Sequence, residues 1–345
     1  MGEDVLSNVL RGTRLRGAVF FHVGFDRAWA AGAPPAREVA DLVLPGSDHV
    51  MEYHVVTRGT AWAAMPGKPP VRLERGDMVM FPQGDPHFVS SAPGLEAEFI
   101  DADWVAAHRQ HERPIPVGDP GGQHAMGRTG RTAEGMTNVV CGFWGCDVRP
   151  FNPLLAHLPS MMHFPASPGG AWVIDALRQV VAESGERRFG SEVVLEKISE
   201  VLFVEAVRRY IAESPQQQGW IAGLQDRFVG RALALLHHEP AGTWTLDELG
   251  QQIGLSRSAL HERFTQLIGQ PPMQYLAHWR MQLASTRLRD TSDSVATIAR
   301  DVGYESEAAF SRAFKRLVGT PPVLWRRQAR NSGGVGRVGA PGPAS

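Results

Sequence analysis

Two cysteines, Cys141 and Cys146, in 345 residues are too few for a disulfide framework. No run of about 18 apolar residues occurs, so no membrane-spanning helix is expected. The opening Met1-Gly2-Glu3-Asp4 is acidic and lacks a basic start followed by an apolar core. No secretory leader is therefore expected, and the chain reads as a soluble cytoplasmic protein. Neither sign of charge dominates, since 35 Lys and Arg stand against 36 Asp and Glu. What is present suffices for more than one core: 43% of the residues are hydrophobic, and the length suggests two domains.

The near-zero net charge hides an asymmetry. Residues 225–330 hold 14 Lys and Arg against 10 Asp and Glu, a balance of +4, whereas residues 1–224 hold 20 against 26, a balance of −6. A surface for phosphates is expected in the basic part.

That basic part contains one pattern written twice. The first copy reads Leu249, Ile253-Gly254-Leu255-Ser256, Leu260, Phe264, Leu267-Ile268-Gly269, Pro271-Pro272 and Tyr275. The second reads Ile298, Val302-Gly303-Tyr304-Glu305, Phe310, Phe314, Leu317-Val318-Gly319, Pro321-Pro322 and Trp325. From Leu260 and Phe310 onward the offset is a constant 50, and before that it is 49. Such a period marks a duplicated supersecondary unit. In the first copy Thr245 or Asp247 caps a short helix ending near Ile253, and Gly254 supplies the left-handed turn. Ser256 caps a second helix whose Leu260, Phe264 and Leu267 form one buried face. Gly269 ends that helix, and Pro271-Pro272 forbid its continuation. The second copy repeats each step with Val295–Val302, Gly303, Ser306–Val318 and Gly319. Two helices around a glycine turn make a helix-turn-helix, whose second helix enters a DNA major groove.

With Leu260 and Phe264 inward, the first recognition helix presents Ser256, Arg257, Ser258, His261, Glu262 and Thr265. The second presents Ser306, Glu307, Ser311, Arg312 and Lys315. These side chains are of the kinds that hydrogen-bond base edges or phosphates. One polar helix face is generic; two joined by a helix over Met273–Arg289, about 25 Å long at ~1.5 Å per residue, point to paired grooves one DNA turn apart.

Residues 226–327 closely resemble the DNA-binding domain of AraC/XylS-type transcriptional regulators. The run Ile298-Ala299, Val302-Gly303-Tyr304, Phe310, Phe314, Gly319 and Pro321-Pro322 looks like that family's signature. The resemblance implies a seven-helix domain with two helix-turn-helix units. It also implies base readers at Ser258, His261 and Glu262 in the first unit, and at Glu307, Ala308, Ser311 and Arg312 in the second. Some relatives carry a large aromatic, Gln and Arg in the first trio, so their operator sequence does not transfer.

The N-terminal part reads differently. Asp4 caps a short helix to Arg11, and residues 15–25 read as a strand. Short strands over Glu52–Thr57, Thr60–Ala64, Val71–Leu73, Met78–Phe81 and His87–Ser90 suggest a sandwich or jelly roll. The spacing Gly76, Pro82, Gly84, His87 resembles the second motif of the cupin superfamily of small β-barrels. Of the first cupin motif, Gly46 is in place, but its His-x-His has become Glu52-x-His54, and Arg58 or Gly59 stands where a Glu belongs. The resemblance implies a cupin-like barrel over roughly residues 15–100 and argues against an intact metal site. Glu52 and His54 share one strand face and, with His87, form a weak candidate ligand set. No metal or other cofactor is expected, and His54 and His87 read instead as lining an effector pocket.

Asp103–Thr137 reads as loop, and Gly121-Gly122 lacks the Lys-Ser/Thr ending of a phosphate loop. Val139–Val148 reads as a strand that holds both cysteines. Five residues at ~3.3 Å place them about 16 Å apart on opposite faces, beyond disulfide reach. Ala171–Glu183 and Ser191–Glu213 read as helices. The second has a wide apolar stripe, Val194, Leu195, Ile198, Val201, Leu202, Val204 and Val207, which either packs on the barrel or forms a dimer interface.

The expected architecture is α+β. A cupin-like effector and dimerisation domain occupies residues 1–213 and a linker 214–224. A double helix-turn-helix domain follows over 225–330, then a disordered tail over 331–345. The expected function is sequence-specific DNA-binding transcriptional regulation in response to a small molecule, with no catalysis. The expected partners are double-stranded DNA, an effector and a second copy of the chain, with RNA polymerase admitted as a further one. Two readings compete. A cupin-type metalloenzyme would need a bound metal. A non-DNA protein-interaction module shaped like a helix-turn-helix would be excluded by a steep fall of DNA affinity with salt.

Overall fold

The computed structural model describes residues 4–25, 28–95, 99–100, 102–103, 105, 115–117, 137–167, 172, 174–178, 189–213 and 219–333. The expected loop at 103–137, the Gly121-Gly122 pair, most of the linker and the tail beyond residue 333 lie largely or wholly outside them. The chain divides into two compact units. One comprises Leu15–Cys146 and Leu158–Glu213, the other Met1–Arg14, Asp147–His157 and Ser214–Ser345.

The first unit is built on two sheets. Its strands are β1 (Arg16–Phe25), β2 (Ala30–Ala33), β3 (His49–Arg58), β4 (Ala61–Ala64), β5 (Val71–Leu73), β6 (Met78–Phe81), β7 (His87–Ser90), β8 (Ile115–Val117), β9 (Thr137–Cys146) and β10 (Met162–Phe164). A six-stranded sheet runs β10-β6-β3-β9-β1-β8, and a four-stranded sheet runs β2-β7-β4-β5. The expected barrel is not closed. Closure requires every edge strand to find a partner. Among the described residues no ladder joins the edges β10 and β8 of one sheet to β2 and β5 of the other. The arrangement is a sandwich, with inner faces contributing Val79, Phe81 and Phe143 from one sheet and Ala61, Ala63, Leu73 and Val89 from the other.

Strand β3 is buried along nearly its whole length, because both faces of its sheet are covered. One face meets the second sheet. The other meets helix α3, Ser191–Glu213, which follows α1, Val5–Gly12, and α2, Ala36–Val43, in chain order. Tyr53 Oη donates to Ser199 Oγ at 2.9 Å, and Trp144 Nε1 donates to the Ser199 carbonyl at 2.7 Å. Leu195, Leu202, Phe203, Ala206 and Val207 complete the buried side of α3.

The second unit is helical: α4 (Trp220–Gln225), α5 (Arg227–His238), α6 (Leu246–Ile253), α7 (Arg257–Ile268), α8 (Pro272–Asp290), α9 (Val295–Asp301), α10 (Glu307–Val318) and α11 (Pro322–Gly333). The caps follow the local chemistry. Thr245 and Glu248 close a reciprocal capping box on α6. The hydroxyls of Ser256, Ser294 and Ser306 accept from the third residue onward at the starts of α7, α9 and α10. Gly254 and Gly303 turn each helix pair at φ +80° and +86°, where a side chain would be strained. Helix α1 also belongs to this unit: Gln282 Nε2 on α8 donates to the Gly12 carbonyl at 2.9 Å, and Thr286 Oγ1 donates to it at 3.1 Å. No helix among the described residues is long and apolar enough to cross a membrane.

Candidate DNA-reading faces and a buried polar cluster

Each recognition helix is held by its apolar stripe. Leu260, Phe264 and Ile268 bury α7, and Phe310 and Phe314 bury α10. Turning that stripe inward leaves the expected readers outward. Ser256, Arg257, Ser258, His261 and Glu262 are exposed on the first helix, as are Ser306, Glu307, Arg312 and Lys315 on the second; Ser311 is half-buried. Arg257 lies 3.8 Å from Asp247, both well exposed, so that pair holds it weakly.

Other cations of this unit are committed to the fold, which composition did not reveal. Arg263 on α7 makes a two-pronged bond through Nε, 3.1 Å from each oxygen of Asp226. Asp226 also caps α5. That guanidinium holds the Asp226 carboxyl below its ordinary range. Arg280 donates to the carbonyls of Pro240 at 2.6 Å, Gly242 at 2.7 Å and Gly303 at 3.3 Å. Arg287 bridges Asp293 and Asp301 at 2.8 and 2.7 Å, and Arg289 meets Asp147 at 2.7 Å. On the two recognition helices Arg257, Arg312, Lys315 and Arg316 are exposed and face outward.

In the sheet unit, Glu52, His54 and His87 meet between the sheets. Strand period two puts Glu52 and His54 on one face of β3, and His87 arrives from β7 of the opposite sheet. The three are 4%, 6% and 0% exposed, and one ligand atom from each lies within 4.8 Å of the others. His54 Nε2 is 2.7 Å from His87 Nε2, and Glu52 Oε2 is 3.6 Å from His87 Nε2. His87 stacks on Phe81 with ring centres 3.5 Å apart, and its Nδ1 lies 3.0 Å from the Asp85 carbonyl.

Cys141 is the member that sequence reasoning left out. It faces His54 across the β3–β9 ladder, with Sγ 2.8 Å from His54 Nδ1. Directly opposed residues of an antiparallel pair share a face, but nothing local in the sequence fixes this register. Both cysteines are free thiols, as the strand spacing implies.

Burial sets the charge state of the cluster. It raises the Glu52 carboxyl to about 8 and lowers His87 to about 4. His54 is lowered well below its ordinary value by burial and then by the neighbouring His87. Burial also pushes the Cys141 thiol up. Near neutral pH, then, Glu52 and His87 are not an ion pair despite their 3.6 Å approach. The set offers two neutral imidazoles and a carboxyl group, drawn together by the 2.7 Å contact between the two Nε2 atoms.

Comparison with known proteins agrees with the two-part reading. A family model described as Cupin matches residues 4–212, and one described as Helix-turn-helix domain matches residues 249–328. An AraC-like transcription regulator of Streptomyces lividans is 32% identical over 281 residues, covering 81% of this chain and 87% of that one. The HTH-type transcriptional regulator AlkR of Acinetobacter baylyi is 28% identical over 333 residues, covering 94% and 100%. Among solved structures, the DNA-binding domain of AdpA in complex with a target DNA is 25% identical, covers 31% of this chain and 95% of that one, and has a TM-score of 0.30.

Proposed function

This chain belongs to the family of AraC-like DNA-binding transcription regulators, and we propose how its two units share that task. The helical unit reads the operator. Ser258, His261 and Glu262 on α7, with Glu307, Ser311 and Arg312 on α10, face base edges; Ser256, Arg257, Ser306 and Lys315 anchor the helices to phosphates. The single observation that carries this assignment is the exposure of these side chains on helices whose opposite faces are fully buried.

Arg312→Ala is expected to weaken specific operator binding by about 1–3 kcal/mol and to relax selection at one base pair. Selecting bound fragments from random DNA supplies the operator, and titration at several salt concentrations measures the loss. An operator affinity equal to that of the parent protein removes Arg312 from the readout.

The sheet unit senses and dimerises. The effector is bound around His54 and His87. The dimer forms through the outer side of α3, where Val193, Val194 and Val201 are 59%, 46% and 41% exposed while the inner side is buried against the sheet. Val194 and Val201, seven residues apart, share one helix face with Val193 beside it, and paired half-sites call for a two-fold protein. Sedimentation at micromolar protein is expected to give a dimer, and Val194→Glu with Val201→Glu a monomer. A parent protein that sediments only as a monomer removes the interface.

A further inference from the structure

We propose that a pocket on the outer side of the six-stranded sheet binds a small organic anion, a carboxylate carried on an apolar body, with Arg75 as its counter-ion. The site is separate from the His54/His87 cluster and does not rest on an effector bound there.

The pocket lies on the other side of β6 from that cluster. Val79 and Phe81 belong to the core between the sheets, so Met78 points to the opposite face by period two. Phe164 of β10 is the register partner of Met78 and shares that face. These two side chains form the floor. One wall is α3, where Leu202, Ala206 and Arg209 recur at i, i+4 and i+7. The other is the segment 174–178, through Ile174 and Arg178. The volume is about 280 Å³, at the small end of ligand pockets, ~300–1,000 Å³.

The rim is fixed in advance. Asp77 Oδ1 accepts from the Ala166 backbone at 2.8 Å, and Oδ2 accepts from the Glu74 backbone at 3.0 Å. His163 Nε2 lies 3.0 Å from the same Oδ2. Arg209 Nη1 donates to the Pro165 carbonyl, which ties α3 to the chain beyond β10. Gly76 comes so near that a Cβ would lie 2.9 Å from that of Ala166. Walls tied in this way present a largely preformed cavity, as ligand sites do.

Charge selects the ligand. Arg75, Arg178 and Arg209 stand around the pocket with Asp175 and Glu205. Most of these charges cancel locally: Arg178 meets Asp175 at 3.2 Å, Arg209 meets Glu213 at 2.7 Å, and Glu205 meets Arg208 at 3.2 Å. Arg75 is left over, and among the described residues its guanidinium has no hydrogen-bond or ion-pair partner. One surplus positive charge suits a monoanion. A phosphate dianion would bring a second, uncompensated negative charge toward Asp175 and Glu205. The planar fork of a guanidinium matches a carboxylate, and the floor and α3 wall match a hydrocarbon body.

The test titrates the full chain calorimetrically with octanoate, using octanol and inorganic phosphate as comparators. Octanoate is expected to bind about once per chain, at least tenfold more tightly than either comparator. Arg75→Glu is expected to weaken it at least tenfold. For Ile174→Ser, which removes part of the apolar wall, the expected loss is about three- to tenfold. Arg75 is exposed, so its reversal leaves the core intact, and melting checks the fold of both variants. A photoreactive diazirine analogue of octanoate is expected to label residues within 164–178 and 202–209. Should Ile174→Ser fail to fold, that labelling map decides.

Absence of octanoate binding at millimolar concentration overturns the site, as does labelling centred on residues 52–57 and 87. Octanol or phosphate bound as tightly as octanoate, or Arg75→Glu binding like the parent, overturns the choice of a carboxylate. Ile174→Ser binding like the parent overturns the placement of the apolar body.

Discussion

Phe310→Ala is expected to destabilise the helical unit by about 3–5 kcal/mol, the cost of deleting a fully buried phenyl ring. Phe310 is 0% exposed and sits among Met281, Leu288, Ile298, Val302 and Phe314. Its ring meets Tyr304 edge-on at 5.6 Å and Phe314 at 5.5 Å. These neighbours come from α8, α9, the turn that follows it and α10, so no single element can collapse into the cavity left behind. A domain is stable by only about 5–15 kcal/mol, so this one truncation removes a large share. Val323→Ala, at a position 60% exposed, serves as the control, with an expected effect within about 0.5 kcal/mol. Denaturant titration followed by tryptophan fluorescence reads both. A loss below 1 kcal/mol for Phe310→Ala would mean that the second helix-turn-helix is not organised around this ring.

The second large effect separates two glycines that look equivalent in sequence. Gly254 and Gly303 turn the two copies at nearly the same φ, +80° and +86°. A Cβ at Gly254 would meet nothing within 4 Å, whereas at Gly303 it would lie 2.7 Å from the Ala241 carbonyl oxygen and 2.8 Å from its Cα. Gly254→Ala should therefore cost only the left-handed backbone, about 1–2 kcal/mol. Gly303→Ala adds a backbone clash that must displace residues 240–242, for a total of about 2–5 kcal/mol. The loop has little room to yield, because Arg280 ties the carbonyls of Pro240, Gly242 and Gly303 together. Equal losses at the two positions, measured by the same titrations, would contradict the close approach of residue 241 to the second turn.

The helix-turn-helix pair was legible because its determinants are local. Serine caps, a glycine turn, a stripe at i, i+4 and i+7, and a Pro-Pro stop lie within some twenty-five residues of one another. Helix boundaries at Arg257–Ile268 and Glu307–Val318 follow from those signals directly. Strand positions were legible from period two and turn residues. Sheet closure was not, since it depends on which edges pair, and no local pattern states that. The same limit hid the partner of His54: Glu52 and His54 share a face by spacing alone, while Cys141 enters only through the register of β3 on β9. The arginines misled composition in another way. A balance of +4 reads as phosphate-binding charge, yet Arg263, Arg280, Arg287 and Arg289 are bound to carboxylates and carbonyls of their own unit.

Least legible of all was the membership of the helical unit. Gln282 is fully buried on α8; its amide nitrogen donates to Gly12, and its amide oxygen accepts from the Phe151 backbone at 3.0 Å. Gly12 itself lies so close to Trp279 that a Cβ would sit 2.7 Å from the indole. Such pairings span up to 274 positions of sequence and leave no periodic trace.

They also dictate how the molecule can be dissected. The backbone passes from one unit to the other near residues 14, 146, 157 and 213. Severing it within 214–218 leaves Gly12, Asp147 and Phe151 on the wrong piece. The liberated C-terminal fragment would keep both recognition helices but present Gln282, Trp279 and Arg289 to water, so a minimal DNA-binding fragment needs those three surfaces re-covered by supplied peptide or by redesign.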